Sequence, residues 1–497
     1  MKAFLLTQEP WIPVRLQGRS VEVSLEDALL LAHKIERLED PSPLVEAALF
    51  RLLLAVIHRA LEGPEDRWTL LELHQSGQFP QNRILRYLNA HRERFWLFHP
   101  EAPFYQVADL PTDNPAPWTK LRPEIASGNN PTLFSHAYDD DPKPIRYAEA
   151  ARHLVAHQTF APGGLIKRLG VTSAVDAPLA RAAVFIPQGA NLFESLVYSL
   201  VPYTPEGDEP IWEAPPVQAK ELLADERKRP GKKLPFEGRT RVYTWLSRGI
   251  RLIPEKGYVR YMGYGPGIDP LQPELYHHDP QVAYRSDQGH LLPVRLREDR
   301  AFWRDFTALY PEEGSGIPPA ALDAAAWLRT QAANGKPVAL SVYGQVTDQS
   351  KVFEIRREHY PLPTRQERGT LRIALQTALE RVEETADCLR KGGRVVASRL
   401  LSPERVPDPG EVRALVASLP LLPLFYQQLG GAFPGFLVKL DHDPESARAL
   451  WQEAIERARR EAWRETRNAI GTEARALKAL QEGERALLRC LNREASQ

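Results

Sequence analysis

The chain has 497 residues, 43% of them hydrophobic, with 64 basic and 64 acidic side chains. That is enough apolar material for a folded protein of roughly three domains. A protein that coats nucleic acid by itself is usually basic overall, so the charge balance here excludes that class and leaves local patches or partners to make any such contact.

Arg outnumbers Lys by 49 to 15, and there are 44 Pro and two Met. Arg suits forked contacts with phosphates and guanine edges, but genomic base composition and heat adaptation give the same bias. Cys388 and Cys490 are far apart, with no CxxC, so a thiolate zinc site is not expected. Two lone cysteines point to a reducing interior, hence a cytoplasmic location. The first 16 residues lack the basic-then-apolar form of a signal peptide, and no run is long and apolar enough to span a bilayer.

In chain order, residues 3–6, 11–14 and 21–23 read as strands, and Ser24 as the cap of a short helix with Glu26 and Asp27 in its first turn. Residues 44–61 predict a helix apolar around most of its circumference, interrupted by Arg51 and expected inside a domain. Prolines recur over 98–118, an ordered but irregular stretch. Residues 126–142 read as a long polar loop, and 203–240 as a solvated linker holding Arg227, Lys228, Arg229, Lys232 and Lys233. Gly263-Tyr264-Gly265-Pro266-Gly267 reads as a turn. Beyond 362 four helical patterns appear, near 364–391, 410–430, 444–469 and 472–493, with Gly392-Gly393, Gly430-Gly431 and Pro434 in their connections. In the third, Ala447, Leu450, Ala454, Ala458, Ala462 and Ala469 make an apolar stripe, and Arg457, Arg460, Arg464 and Arg467 a basic one that neighbouring Glu residues can pair.

A search for catalytic motifs finds no HExxH, GxSxG or Walker loop. His277-His278-Asp279 supports one enzyme hypothesis, a metal-dependent phosphohydrolase needing further ligands such as Asp441-His442-Asp443; surface histidines in a turn are the plainer reading. In Gly163-Gly164-Leu165-Ile166-Lys167-Arg168-Leu169-Gly170, glycine permits close backbone approach while Lys167 and Arg168 can hold phosphates, though an ordinary loop has the same composition.

Glu9-Pro10-Trp11-Ile12-Pro13-Val14, Pro43-Leu44-Val45-Glu46-Ala47-Ala48, Phe98-His99-Pro100, Pro103-Phe104-Tyr105-Gln106 and Phe185-Ile186-Pro187-Gln188-Gly189, in that order and followed by the helical pattern, resemble the CasA family, the large subunit of the type I-E CRISPR surveillance complex Cascade. The resemblance implies a non-catalytic subunit that contacts guide RNA and reads the protospacer-adjacent motif from the minor-groove side. It further implies that the subunit helps open the duplex and docks a helicase-nuclease. The family's glycine loop resembles Gly163-Gly164. Its glutamine wedge resembles Gln349 beside Ser350, on the tip of a hairpin between strands expected at 338–342 and 352–355. Asp348 stands where a member has Asn, and no Lys lies in 261–268, where a member reads the motif with one. Phe134, in the 128–141 loop, resembles the aromatic that packs on a flipped RNA nucleotide. The four bundle arginines are hypothetical DNA contacts.

The expected fold is α+β: a large irregular mixed N-terminal domain over 1–363, then a C-terminal four-helix bundle over 364–497. The expected partners are other Cascade subunits, guide RNA, double-stranded DNA and the helicase-nuclease, with no cofactor and no membrane. A purely structural scaffold is the remaining alternative.

Overall fold

The structure, a computed structural model, describes residues 2–124, 141–166, 173–222, 232–271, 279–331, 338–348, 350–402 and 407–494. The chain divides into two compact units, residues 1–302 with 311–359, and residues 303–310 with 360–497.

In the first unit, Ile12–Leu16 is the middle strand of a three-stranded antiparallel sheet, flanked by Arg19–Val23 and Ile35–Leu38. Ser24 ends this sheet and caps the helix Leu25–Leu30, accepting from Asp27 N as its sequence predicts. The helix Pro43–Leu61 starts at a proline, which the first helical turn tolerates, and 16 of its 19 residues are buried. It packs against Tyr147–Phe160, which is almost as completely buried. The charges it carries inward are paired. Arg51 meets Asp279 at 2.6 Å with both side chains fully buried, and its guanidinium lies 4.3 Å from the centroid of the Tyr243 ring. Glu46 bonds to Arg357, while burial raises its pKa against that pairing.

Two expectations are corrected in this unit. The segment 263–267 is not a turn. Gly263 and Gly265 lie in the strand Tyr258–Pro266, paired with Arg248–Glu255, and a Cβ on Gly263 would sit 2.8 Å from the Pro111 carbonyl. Glycine serves close packing there rather than chain reversal. The described parts of 203–240 are not a solvated linker: Trp212 is buried against Phe95 and Phe104, and Asp208 accepts from the backbone of Thr240 and Arg241. Lys232 is paired with Glu221 at 2.7 Å, and Arg227, Lys228 and Arg229 lie outside the described residues. Asp279 is buried with its carboxylate 2.6 Å from Arg51, while His277 and His278, and with them the surface-histidine reading, lie outside the described residues.

The second unit holds four long helices, Arg368–Leu401, Leu421–His442, Pro444–Ile470 and Ala474–Glu494, with the short Pro409–Ser418 between the first two. The third pattern's predicted stripe shifts: Ala447, Ala454, Ala458 and Ala462 are buried with Trp451, Ile455 and Trp463, whereas Leu450 and Ala469 are exposed. Residues 303–310, absent from the sequence expectation for this unit, place Trp303 and Phe306 against Phe433. The expected breaks at Gly392-Gly393, Gly430-Gly431 and Pro434 are helix interior. A Cβ on Gly392 would lie 3.0 Å from the Gly483 carbonyl, and one on Gly483 2.9 Å from the Gly392 carbonyl, so this pair lets the first and last helices run close together. Gly430 likewise makes room for Trp303, whose Nε1 would be 3.1 Å from a Cβ there. The break occurs instead before Leu421, where Pro420 restricts the residue preceding it. Cys388 and Cys490 are not lone: the first and last helices run antiparallel and bring them into a disulfide with Cα atoms 5.4 Å apart. Asp441 accepts from the backbone of Thr364 and Arg365, and Asp443 caps the helix Pro444–Ile470. Among the described residues no helix is long and apolar enough to cross a membrane.

Candidate nucleic-acid interface

The helix Tyr147–Phe160 delivers the chain to Ala161, and the segment after it turns back on itself. Gly164 and Ala174 exchange backbone hydrogen bonds of 3.0 and 2.9 Å. Gly163 N donates to Asp176 Oδ1 at 2.6 Å, and Arg181 holds the other oxygen of that carboxylate at 2.6 Å. A Cβ on Gly163 would fall 2.9 Å from the Ala174 carbonyl, so glycine is needed where the two arms of the loop touch. Beside it Leu165 is 71% exposed. Lys167 and Arg168 lie outside the described residues.

The base of this loop is tied down from three sides by groups with no local signature in the sequence. The buried Arg248 guanidinium donates to Pro162 O at 2.6 Å, Val175 O at 2.9 Å and Ser247 O at 2.6 Å. The buried Gln158 accepts from Arg248 N and donates to Arg248 O, both at 2.8 Å. Gln345 Nε2 donates to Phe160 O and Ala180 O, both at 2.8 Å. Only their polar character inside apolar stretches could have marked them, since buried polar groups must find partners.

Gln345 belongs to Val338–Asp348, the middle strand between Val184–Gln188 and Lys351–Leu362. Both hairpin strands are longer than the sequence predicts. Asp348 and Ser350 flank the tip and are exposed; Gln349 lies outside the described residues. Ser350 Oγ donates to Gly163 O at 2.6 Å, and a Cβ on Gly164 would lie 2.6 Å from that same Oγ. Two segments 187 residues apart, each singled out from sequence, therefore meet.

A cleft of about 160 Å³ opens beside this junction, lined among others by Lys120, Arg122, Glu124, His153, His157, Tyr264 and Ser350. His157 Nε2 and the Tyr264 hydroxyl are 3.0 Å apart, and Lys120 Nζ lies 5.8 Å from the Tyr264 ring centroid. Burial, then the charges of Arg248 and Lys120, push His157 down to about 3. Burial, then Arg122 and Arg152, holds His153 well below the ordinary imidazole range.

The remaining predicted site residues are elsewhere. Phe134 lies outside the described residues. Arg457, Arg460, Arg464 and Arg467 are exposed on Pro444–Ile470 in the second unit. Arg460 pairs with Glu456 at 3.7 Å, and Arg464 with Glu461 and Glu465, the solvated, ion-paired face that the spacing of Glu and Arg allows.

Residues 6–468 match the family model for CRISPR-associated protein Cse1. A CRISPR-associated protein CasA/Cse1 of Thermus thermophilus is 50% identical, over 99% of this chain and 98% of its own length. A solved structure of Thermus thermophilus CasA (Cse1) superposes with a TM-score of 0.89 at 47% identity, covering 99% of this chain and 100% of that one. A chain of a solved CRISPR RNA-guided surveillance complex shares the fold, with a TM-score of 0.78 at 21% identity over 98% of this chain and 100% of that one. The chain belongs to the CRISPR-associated Cse1 family.

Proposed function

We propose that this chain is the subunit of an RNA-guided surveillance complex that inspects the short flanking motif of duplex DNA. In this reading it is non-catalytic, assists opening of the duplex, contacts the guide RNA and docks a helicase-nuclease. The observation that carries the reading is the contact of Ser350 with Gly163, which joins the Gly163-Gly164 backbone to an exposed residue of the hairpin. A glycine backbone can reach the shallow edge of base pairs, and a hairpin tip beside it is placed to enter an opened step. Family membership supports the same reading. The sequence search itself falls to RNA–DNA pairing, so the protein needs to read only a short motif, and a balanced net charge is no handicap. The phosphohydrolase alternative through His277, His278 and Asp279 loses its carboxylate to Arg51.

The test is binding of the reconstituted guide-RNA complex to matched duplex, with and without this chain, at fixed salt and with varied flanking trinucleotides. Flank dependence that requires the chain, and that Gly164→Asp and Gln349→Ala weaken, supports the reading. Flank dependence that persists without the chain makes it a scaffold or a recruiter.

A further inference from the structure

We propose that the cleft beside the Gly163-Gly164 loop is a phosphate subsite, in which Lys120 holds one backbone phosphate of the duplex. This rests on the proposed reading for its ligand and names a contact that reading does not contain.

The cleft is continuous with the junction, because Ser350 lines it and also bonds to Gly163. It is roomier than a single water requires. Among the described residues its charged lining is predominantly cationic. Lys120 and Arg122 face one carboxylate, Glu124, which already accepts from Ser42 Oγ and lies 3.6 Å from Arg122 Nε. Among the described residues, the charges of Arg122, Arg152, Arg248 and Lys120 near the two buried histidines are positive and disfavour the imidazolium. A site with that potential and neutral imidazole walls favours an anion. The Tyr264 ring beneath the Lys120 ammonium gives that flexible side chain a fixed seat at the mouth. Lys120 comes from the turn Trp118–Leu121, which is anchored by burial of Trp118, Thr119 and Leu121 and by the Trp118 indole donating to Lys143 O at 2.7 Å. A lysine acts on phosphate as a point charge without reading sequence, which complements a glycine loop that approaches base edges.

The experiment uses the full chain in its assembled guide-RNA complex. Affinity for matched duplex is measured over about 50–200 mM salt, with several flanks, for wild type, Lys120→Ala, Lys120→Arg and Gly164→Asp. Each neutralised phosphate contributes about 0.9 to the slope of log affinity against log salt. Lys120→Ala is expected to flatten the slope by about 0.9, equivalent to roughly eightfold weaker binding at 0.1 M salt relative to 1 M, by the same factor for every flank. Lys120→Arg is expected to restore the slope. An unchanged slope in Lys120→Ala overturns the proposal. So does a changed flank preference, which means a base-edge contact, or a defect confined to assembly on guide RNA. If Gly164→Asp leaves flank discrimination intact while Lys120→Ala flattens the slope, the motif-reading function fails and the phosphate subsite stands. The reverse pattern removes the subsite and keeps the function.

Discussion

Gly164→Ala is the sharpest probe of the junction between loop and hairpin. The added Cβ would lie 2.6 Å from Ser350 Oγ and 3.2 Å from Ser350 Cβ, against a Ser350 that is itself bonded to Gly163 O. Overpacking of this kind costs about 1–3 kcal/mol, or about 5- to 150-fold in a local opening equilibrium. The exposed position of the tip puts the expected value near the lower end. Ser350→Ala removes the Oγ and so the 2.6 Å clash, leaving the 3.2 Å contact, at the cost of one hydrogen bond worth about 0.5–1.5 kcal/mol. The double variant should therefore be less destabilised than the sum of the singles by about 0.5 kcal/mol or more. The readout is hydrogen exchange of the Ala174 amide, which donates to Gly164 O at 2.9 Å and opens with the loop. Additivity within about 0.3 kcal/mol refutes the argument that residues 164 and 350 press on each other.

Asp279→Ala removes the carboxylate paired with the buried Arg51 guanidinium and should destabilise the chain by about 3–5 kcal/mol in urea unfolding; Arg51→Met with Asp279→Leu should recover most of that. The Cys388–Cys490 link closes 102 residues, so Cys388→Ser should lower the stability of the helical unit by up to about 4.7 kcal/mol, seen as a drop in its thermal midpoint that reductant reproduces in the wild type. His157 is held down to about 3, so its neutral form contributes stability that is present above the ordinary imidazole pKa and lost as pH falls toward 3. His157→Gln should flatten the fall in urea midpoint between pH 7 and pH 4, and an unchanged pH profile argues against that assignment. Gln345→Ala frees two buried carbonyls, Phe160 O and Ala180 O, and should cost about 2 kcal/mol or more while speeding exchange at Ala174.

Local pattern carried the regular parts of the fold. Alternation marks the strands around Ile12–Leu16, Ser24 is a cap by residue type, and the run after Pro43 is apolar on every side because the helix is enclosed on every side. The order of short motifs carried the family, which composition could not. Glycine and proline misled where contact outweighed propensity. Gly392-Gly393 sits inside a helix because neighbouring helices fill the space it leaves, Pro434 is likewise helix interior, and Gly263 sits in a strand because a carbonyl crosses above it. The Cys388–Cys490 bond was invisible for the same reason, since pairing across 102 residues depends on how the helices run. The site residues the sequence did not mark, Arg248, Gln158 and Gln345, are each defined by partners 73 to 185 residues away.

Those distant partners decide how the junction can be altered. The base of the loop is held by the buried Gln158–Arg248 pair and by the Gln345 Nε2 donor, whereas Gly163, Gly164 and Ser350 meet near solvent through the Ser350 hydroxyl. In the proposed reading, changes at Gly163, Gly164 or Ser350 should alter duplex binding with only local opening of the loop. Changes at Gln158, Arg248 or Gln345 should move the whole loop away from Ser350, because each unmade bond there leaves a buried polar group unsatisfied and the backbone must shift to reach water. The two kinds of variant are separable by degree: variants at Gly164 or Ser350 raise Ala174 exchange only modestly and change duplex binding, whereas base variants raise it strongly and lose binding with it. Loss of binding in a base variant with Ala174 still protected would place the binding determinant outside this loop.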